Sequence, residues 1–319
     1  MNKKIISIII GILLIFALNA CTQKQETVKI GYLPIVHSLP LYVAIEKGYF
    51  KDAKIEVEAI PFEAPNQLVD AIMQDQLDFG SAMGMGIIGI ANSKNPGKVK
   101  IYAINGEMNN NSIEDIIIPI NSTITSIAEL KGKKFGILAG TIQWRTITRD
   151  LLAKNGLNMD TDVTIVELPG TIQVQTIASG QIDALLALEP IPTTIIEAGT
   201  GKIMITAPAK EYIADPFWPG ADVVNTEFAV QNPETTDKVI AILQKTINEI
   251  NENPEEYKQY LKKYTALTDD IITKVPLADY KTCNDLTTED IIAINTFYSI
   301  FTTYNVVDDA ISIEPLLYC

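Results

Sequence analysis

The sequence predicts an α/β fold of two lobes with a cleft between them and a helical C-terminal region. Three observations support this prediction. Apolar runs of strand length alternate with helical patterns over the first 225 residues, which favours lobes built on mostly parallel sheets. Two pairs of short segments recur at one fixed spacing, which is typical of two lobes built alike. After residue 225 the pattern is almost entirely helical.

The predicted elements follow one another from residue 28 to residue 303. Short apolar runs bounded by turn residues predict the strands, and apolar residues three or four apart predict the helices. The predicted strands are 28–33, 54–60, 77–81, 99–105, 112–119, 134–139, 163–168, 182–188, 202–207 and 222–225. The predicted helices are 39–47, 65–75, 83–92, 141–154, 171–179, 190–198, 233–251, 254–264, 268–275 and 287–303.

The internal repeat links two strand-and-turn settings in each half of the chain. KIGYL at 29–33 matches KFGIL at 134–138, and QLDFG at 76–80 matches QIDAL at 181–185. Both pairs lie 105 residues apart (134 − 29 and 181 − 76). Each half therefore contains a strand, a loop and a helix, and later a helix that leads into a buried strand through Gln-apolar-Asp.

Two loops of the repeat are candidates for a binding cleft. LPIVHSLP at 33–40 and LAGTIQWR at 138–145 each follow a strand and precede a helix. In open α/β sheets, ligands bind beyond the carboxyl ends of the strands, so facing lobes would place both loops in one cleft. Helix N-termini there supply free N–H groups and partial positive charge, which favours an anion or a polar acceptor.

Residues 1–20 are typical of a secretory signal. Two lysines precede an apolar stretch at 5–18, which is shorter than the roughly 20 residues of a membrane-spanning helix. Because Cys21 directly follows a small residue, the segment resembles a bacterial lipoprotein signal, in which Cys21 would be lipidated. Residues 21–27 would then tether the protein to the outer face of a cell membrane. The alternative is a plain signal peptide followed by a chance cysteine.

The charge balance argues against nucleic acid as a partner. The chain has 25 Lys and Arg against 39 Asp and Glu, a formal charge of −14. Loss of the two lysines of the signal would give 23 − 39, or −16. Binding to nucleic acid needs a basic footprint, and this chain is acidic.

The remaining cysteines, Cys283 and Cys319, leave two possibilities open. Outside the cytoplasm they could form a disulfide, or they could remain free thiols. One histidine and two scattered cysteines do not make a usual zinc site, so we expect no metal and no cofactor.

Four segments resemble a known family of binding proteins. IGYLPIVHSLPLYVAIEKGYF at 30–50 resembles the opening of the periplasmic binding proteins for nitrate, sulfonates, bicarbonate and thiamine-pyrimidine precursors. LVDAIMQDQLDFGSAMG at 68–84 and VQTIASGQIDALLALEP at 174–190 resemble later segments of the two lobes. The stretch at 225–257 resembles the long helix after the return crossover. The residues that match the first pattern are Pro40, Leu41, Ala44, Gly48 and Phe50.

This resemblance implies a periplasmic-binding-protein type II fold with a hinged cleft. Lobe 1 would comprise 28–106 plus 217–319, and lobe 2 would comprise 107–216. The protein would bind a small solute, act as a monomer and deliver the solute to the membrane permease of an ABC importer. Ligand binding would shift an equilibrium between open and closed lobes.

Twelve residues near the predicted cleft are candidates for ligand binding. They are His37, Ser38, Ser81, Ala82, Met83, Asn105, Gly140, Thr141, Gln143, Trp144, Arg145 and Glu189. His37 could contact the ligand or be an ordinary loop histidine, and Ser38 could contact it or cap the next helix. The small residues after 80 could let backbone approach a ligand or serve close packing. Trp144 could stack on a flat ligand or cover the lobe.

Arg145 and Glu189 predict opposite ligand charges. Arg145 in the cleft would grip a carboxylate, sulfonate or carbonate with two parallel bonds; on the surface it would pair with a local acid. For Arg149, four residues on, we expect a surface ion pair. Glu189 in the cleft would instead suit an amine, an amide or an aminopyrimidine. The sequence does not decide between them.

Three functions remain open at this stage. The first is a solute-binding lipoprotein of an ABC importer, with a small oxyanion or organosulfonate as the favoured ligand and a thiamine-pyrimidine precursor or other nitrogen heterocycle as the alternative. The second is an enzyme like the pyrimidine synthase of the same fold family. That enzyme carries a cysteine-rich motif, which this chain lacks. The third is a sensor module that presents its ligand to a membrane receptor.

Overall fold

Two mixed β-sheets form the frame of the protein in the computed structural model, which describes residues 27–108 and 111–319. The predicted signal at 1–20, the lipidation site Cys21 and nearly all of the tether lie outside the described residues. In the part of the chain that is described, no helix combines the length and apolar character needed to cross a bilayer.

The first sheet has six strands and belongs to what we call lobe 1. Its strands are β1 (Val28–Tyr32), β2 (Val57–Pro61), β3 (Phe79–Gly84), β4 (Val99–Glu107), β10 (Phe217–Asn225) and β11 (Asp279–Thr282). Their order is β11-β4-β10-β3-β1-β2. Strand β1 pairs in parallel with β2 and β3, whereas β10 runs antiparallel between β3 and β4.

The second sheet has five strands and belongs to lobe 2. Its strands are β5 (Glu114–Pro119), β6 (Lys134–Leu138), β7 (Thr164–Leu168), β8 (Ala184–Leu188) and β9 (Gly201–Thr206). Their order is β7-β6-β8-β5-β9. Strand β6 pairs in parallel with β7 and β8, and β5 runs antiparallel between β8 and β9. The two sheets therefore share one arrangement of three parallel strands, one antiparallel strand and a further strand, and the first sheet adds β11 at its edge.

The repeat seen in the sequence corresponds to equivalent strands and equivalent hydrogen bonds. In lobe 1 the backbone N–H of Lys29 donates to Asp78 Oδ2 at 2.8 Å. In lobe 2 the N–H of Lys134 donates to Asp183 Oδ2, also at 2.8 Å. Both bonds join the start of the first strand to the aspartate of the Gln-apolar-Asp segment, 105 residues apart. In each lobe this aspartate fixes the loop after a helix to the start of the strand, β1 or β6.

Helices cover both sheets. They are α1 (Leu39–Glu46), α2 (Tyr49–Asp52), α3 (Pro65–Met73), α4 (Met85–Lys94), α5 (Ile142–Lys154), α6 (Gly170–Ala178), α7 (Ile191–Glu197), α8 (Pro208–Tyr212), α9 (Thr226–Gln231), α10 (Pro233–Glu252), α11 (Pro254–Tyr257), α12 (Leu261–Tyr264), α13 (Asp269–Lys274) and α14 (Thr288–Thr303). The long helices α10 and α14 pack on lobe 1, so the helical C-terminal region completes that lobe.

The ten predicted strands are all present, with shifts at their ends. Strand β10 begins at Phe217, five residues before the predicted 222, because the FWPG segment pairs with β4. Strand β11 is absent from the prediction: DYKT is short and polar, yet it pairs with β4 at the sheet edge. The helix predicted at 254–264 is broken into α11, a 3₁₀ turn and α12.

A disulfide fixes the C-terminus to lobe 1. The structure joins Cys283 and Cys319 with their Cα atoms 5.2 Å apart, within the usual range for a disulfide. Next to it, the N–H of Tyr318 donates to the carbonyl of Ile101 at 2.8 Å. The chain end therefore lies along β4 and belongs to lobe 1, the lobe that also contains β1.

Candidate functional site

A narrow cleft lies between the carboxyl ends of the strands of the two lobes. It holds about 470 Å³ of space, its open mouth included. Of the sixteen described residues that line it, none is Asp, Glu, Lys or Arg. These are Leu33, Ile35, His37, Pro65, Ala82, Met83, Gly84, Ile87, Asn105, Leu138, Thr141, Gln143, Trp144, Leu188, Pro219 and Gly220. A mostly apolar cleft with a few polar groups is the usual form of a small-molecule site.

His37 enters the cleft from a 3₁₀ turn, Val36–Ser38, which joins β1 to α1. Its side chain is 4% exposed, and Nδ1 has no hydrogen-bond partner among the described residues. Burial lowers the pKa of His37 to about 4. The imidazole is therefore neutral at pH 7 and offers one donor and one acceptor rather than a positive charge.

Asn105 lies on the lobe 1 side of the cleft, on β4. Its side chain is 0% exposed, and neither Nδ2 nor Oδ1 has a partner in the described chain. Gly220 of β10 lies directly opposite in the sheet register. A Cβ at Gly220 would sit 2.1 Å from Asn105 Oδ1, so only glycine leaves room for the amide. Because Gly220 leaves this room, the side-chain amide of Asn105 lies at the cleft with both its NH₂ group and its carbonyl unpaired in the described chain.

Lobe 2 contributes Thr141 and Trp144 from the start of α5. Thr141 occupies the N-cap position of the helix, but its side chain makes no capping hydrogen bond. Its buried Oγ1 has no partner among the described residues, and Thr141 lines the cleft. Trp144, one turn on, also lines the cleft and is 6% exposed. The loop thus presents a hydroxyl and a flat apolar face side by side.

Gln143 joins the two lobes across the cleft. The N–H of Gly86, at the start of α4, donates to Gln143 Oε1 at 2.8 Å. Gln143 Nε2 donates to the carbonyl of Pro219 at 3.1 Å. A Cβ at Gly84 would lie 2.8 Å from Gln143 Oε1, so the glycines of FGSAMGMG make room for this side chain. Gln143 therefore holds lobe 2 against two elements of lobe 1.

Removing this contact is expected to open the cleft. In the variant Gln143→Ala both hydrogen bonds of this side chain are lost, which should favour the open form by about 1–3 kcal/mol. The measurement is the radius of gyration of the ligand-free protein by small-angle X-ray scattering, and it should rise. Gln173→Ala is the control, because buried Gln173 bonds only the carbonyl of Leu168 within lobe 2. Equal values for both variants would contradict a role for Gln143 in closure.

The floor of the cleft is backbone from β3. Ala82 lines it with a φ of +55°, a left-handed conformation that is strained for a residue with a side chain. The N–H of Ala82 donates to Asp222 Oδ1 at 2.7 Å, which holds this backbone in place. Burial raises the pKa of Asp222 to about 6. A carboxylate thus lies beneath the floor, on the side away from the ligand space.

Of the twelve predicted ligand residues, seven line the cleft. They are His37, Ala82, Met83, Asn105, Thr141, Gln143 and Trp144. Ser38, Ser81 and Gly140 lie next to them in the chain but outside the lining. The hydroxyl of Ser38 donates to the carbonyl of Leu33 at 2.8 Å and so shapes the loop. Ser81 is buried beside Asp222.

Arg145 and Glu189 are both placed away from the cleft lining. Arg145 Nη1 bonds Glu167 Oε1 at 2.7 Å, and both side chains are 41% exposed. This is the surface ion pair that the sequence left open. Arg149 likewise forms the expected surface ion pair, with Asp160, while its neighbour Asp150 pairs with Lys154. The helical register of α5 turns Trp144 inward and both arginines outward.

Glu189 belongs to a separate group of buried carboxyls near the crossover between the lobes. It accepts from the hydroxyl of Thr193 at 2.9 Å, and burial raises its pKa to about 8. Glu107, at the end of β4, accepts from the N–H groups of Ile113 and Glu114. Burial raises the pKa of Glu107 to about 7, and the Glu114 pKa is also raised by burial and by Glu107. This group supports the crossover and does not line the cleft.

Sequence reasoning missed most of the apolar lining and the role of Gly220. The structure puts Pro219 and Gly220 in the lining and buries Phe217 and Trp218 in the core. The Trp-Pro-Gly order before an apolar run could have indicated an extended segment that passes close to other backbone. The pairing of Gly220 with Asn105 had no local signal, since 115 residues separate them.

The fold and its mostly apolar cleft, with a few unpaired polar groups, define a two-lobed, ligand-binding class of protein. Residues 36–257 match the NMT1/THI5 like family, and the chain belongs to that family. A putative binding protein of Brucella abortus is 28% identical over 252 residues, covering 79% of this chain and 75% of that protein. A putative aliphatic sulfonates-binding protein of Bacillus subtilis is 22% identical, covering 91% and 86%. The alkanesulfonate-binding protein SsuA from Xanthomonas axonopodis pv. citri, solved bound to MOPS, has a TM-score of 0.73 at 18% identity, covering 92% and 98%.

Proposed function

We propose that this protein is an extracytoplasmic solute-binding lipoprotein, which captures one small molecule between its lobes and delivers it to an ABC importer. Membership of a family with binding proteins among its relatives supports the capture of a solute. The signal-like N-terminus and Cys21 support export and a lipid anchor. The permease and the monomeric state follow from the family resemblance.

One observation supports this cleft as the place where the solute binds. His37, Asn105 and Thr141 each turn a buried polar atom toward it, and none of these atoms has a partner among the described residues. A buried polar group without a hydrogen bond costs about 1–3 kcal/mol. Three of them in one small cleft, drawn from both lobes, are explained by a ligand that completes their hydrogen bonds.

Closure would be a rigid movement of the lobes about two crossovers. The parts that move would be 28–106 plus 217–319 and 107–216, since the chain passes to the second sheet after β4 and returns to the first sheet before β10. A bound solute would bridge Asn105 on one side and Thr141 on the other. Its contacts with both lobes would favour the closed form, and release at the permease would require them to separate.

The test is thermal unfolding of the purified protein against a ligand panel. The panel contains nitrate, bicarbonate, alkyl sulfonates, aminopyrimidines, other nitrogen heterocycles and amino acids. A ligand at 100 times its dissociation constant should raise the free energy of unfolding by about 2.7 kcal/mol. The proposal fails if no compound shifts unfolding and native mass spectrometry finds no bound small molecule in freshly purified protein.

A further inference from the structure

The hydrogen-bonding groups of the cleft require a ligand that both donates and accepts. Asn105 brings two N–H donors and one carbonyl acceptor, and all of them lack partners in the described chain. Because both ends of the amide are unpaired, this requirement is the same whichever way the amide is turned. An acceptor buried in the cleft needs an N–H or O–H donor, which the ligand itself or a water bound with it must supply.

Oxyanions that carry no donor, such as nitrate and the sulfonate group, do not meet this requirement, whereas bicarbonate meets it through its single O–H. Nitrate and sulfonates carry acceptor oxygens only, so they would leave the oxygen of Asn105 buried and unpaired. The lone pairs of their oxygens would also face the oxygen of Asn105 and repel it. Leaving a buried acceptor unpaired costs about as much as a good hydrogen bond gains. An amide, a urea or a lactam, in contrast, presents an N–H beside a C=O and matches the side chain of Asn105 at both ends.

The charges around the cleft also oppose an anion. No lining residue in the described chain is Lys, Arg, Asp or Glu, and the lone histidine is neutral at pH 7. The only two arginines of the chain pair with Glu167 and Asp160 on the surface of lobe 2. Beneath the floor, Asp222 accepts a hydrogen bond from Ala82 and places negative charge there. An anion would have no charged side chain as a partner, and only the partial positive charge of the helix N-termini would offset its desolvation.

The remaining lining fits an apolar or flat body. Trp144 and Met83 line the cleft together with leucine and isoleucine side chains from both lobes. Such walls stabilise a ligand by removing its apolar surface from water and, at Trp144, by stacking. The polar groups therefore bind one edge of the ligand, while the rest of it contacts hydrocarbon.

We propose that the cleft selects an uncharged solute with an amide-type edge, in which an N–H donor lies beside a carbonyl or sulfonyl acceptor, and discriminates against oxyanions. Asn105 recognises this edge through hydrogen bonds, and Thr141 and His37 make the remaining hydrogen bonds to the ligand. This inference rests on the proposed function, since it names the ligand class of the same cleft.

The test uses pairs of probes that share a skeleton and differ in charge. The pairs are nicotinamide with nicotinate, benzenesulfonamide with benzenesulfonate, and acetamide with acetate. Dissociation constants are measured by calorimetry on the purified protein and on the variant Asn105→Leu. We expect at least one neutral probe to bind about tenfold or more tightly than its anionic partner, and the variant to lose this preference.

Each other outcome is decisive. If an anionic probe binds more tightly than its neutral partner, the inference is overturned and the binding role stands. If no probe binds, native mass spectrometry of freshly purified protein is used to identify any ligand carried over from the cell. An uncharged amide-type ligand then supports the inference, and an anion overturns it. If no ligand is found either, the inference is overturned, and the thermal unfolding panel decides separately on the proposed function.

Discussion

The variant Asn105→Leu is expected to be more stable than the natural protein without ligand and to lose ligand binding. Leucine has nearly the shape of asparagine but no polar atoms, so it removes two buried groups that have no partner in the described chain. Relief of that unpaired burial should raise the free energy of unfolding by about 1–3 kcal/mol. The same change removes the ligand's main hydrogen-bonding partner, so affinity should fall about 100-fold or more.

Asn225→Leu is the matched control for this prediction. Asn225 is equally buried, but its amide bonds Asp75 at 2.7 Å and accepts from the N–H groups of Glu227 and Phe228 at the start of α9. Its loss should lower stability by about 1–2 kcal/mol and leave ligand affinity unchanged. Chemical denaturation and calorimetry measure the two effects. A loss of stability in Asn105→Leu equal to that of the control would show that Asn105 serves the fold rather than the ligand.

The second large effect is a loss of stability as the pH rises. Glu189 and Glu107 have pKa values of about 8 and about 7 in the folded protein, because burial disfavours their charged forms. They hold protons at pH values where the unfolded chain has released them, so the folded state binds more protons. Stability therefore falls with rising pH, from the ordinary carboxyl pKa up to about pH 8.

His37 acts in the opposite direction over part of this range. Its folded pKa of about 4 lies below the ordinary 6.5, so its contribution raises stability between these pH values. Above pH 6.5 the carboxyls act alone among these groups. Between pH 6.5 and 8 we expect the free energy of unfolding to fall by a value on the order of 2 kcal/mol.

Urea denaturation at a series of pH values measures this fall, and Glu189→Gln tests its source. Glutamine can still accept from Thr193 but cannot ionise, so the variant should be more stable at pH 8 and its profile flatter. Glu63→Gln is the control, because Glu63 is exposed to water. An unchanged slope in Glu189→Gln would contradict the assignment of the fall to the buried carboxyls.

Local patterns were enough to predict the lobes. Each strand of the repeat carries its own apolar run, and the aspartates at 78 and 183 occur in the same sequence context, so both lobes are visible without tertiary information. Strand β11 has no such pattern. Its residues become a strand only because β4 offers an unpaired edge, which is a property of the assembled sheet.

The site was predicted less well than the fold, because the direction in which a side chain points depends on tertiary packing. The loops at His37 and Thr141 could be placed from the strand ends alone, and both line the cleft. The direction of Arg145 could not, because it depends on how α5 is rotated against its sheet. The role of Asn105 depends on Gly220 in a strand that arrives 115 residues later. The charge of the ligand could therefore not be inferred from Arg145.

The position of β10 has a consequence for how the chain acquires its structure during synthesis and export. This strand lies between β3 and β4, in the interior of the first sheet, yet it is the tenth strand in sequence. Until it arrives, β3 and β4 have open edges that can pair with other chains. The second sheet is continuous in sequence and can form on its own first. The nascent protein thus carries a finished inner lobe flanked by two halves of an unfinished one, the stage at which we expect it to depend most on chaperones.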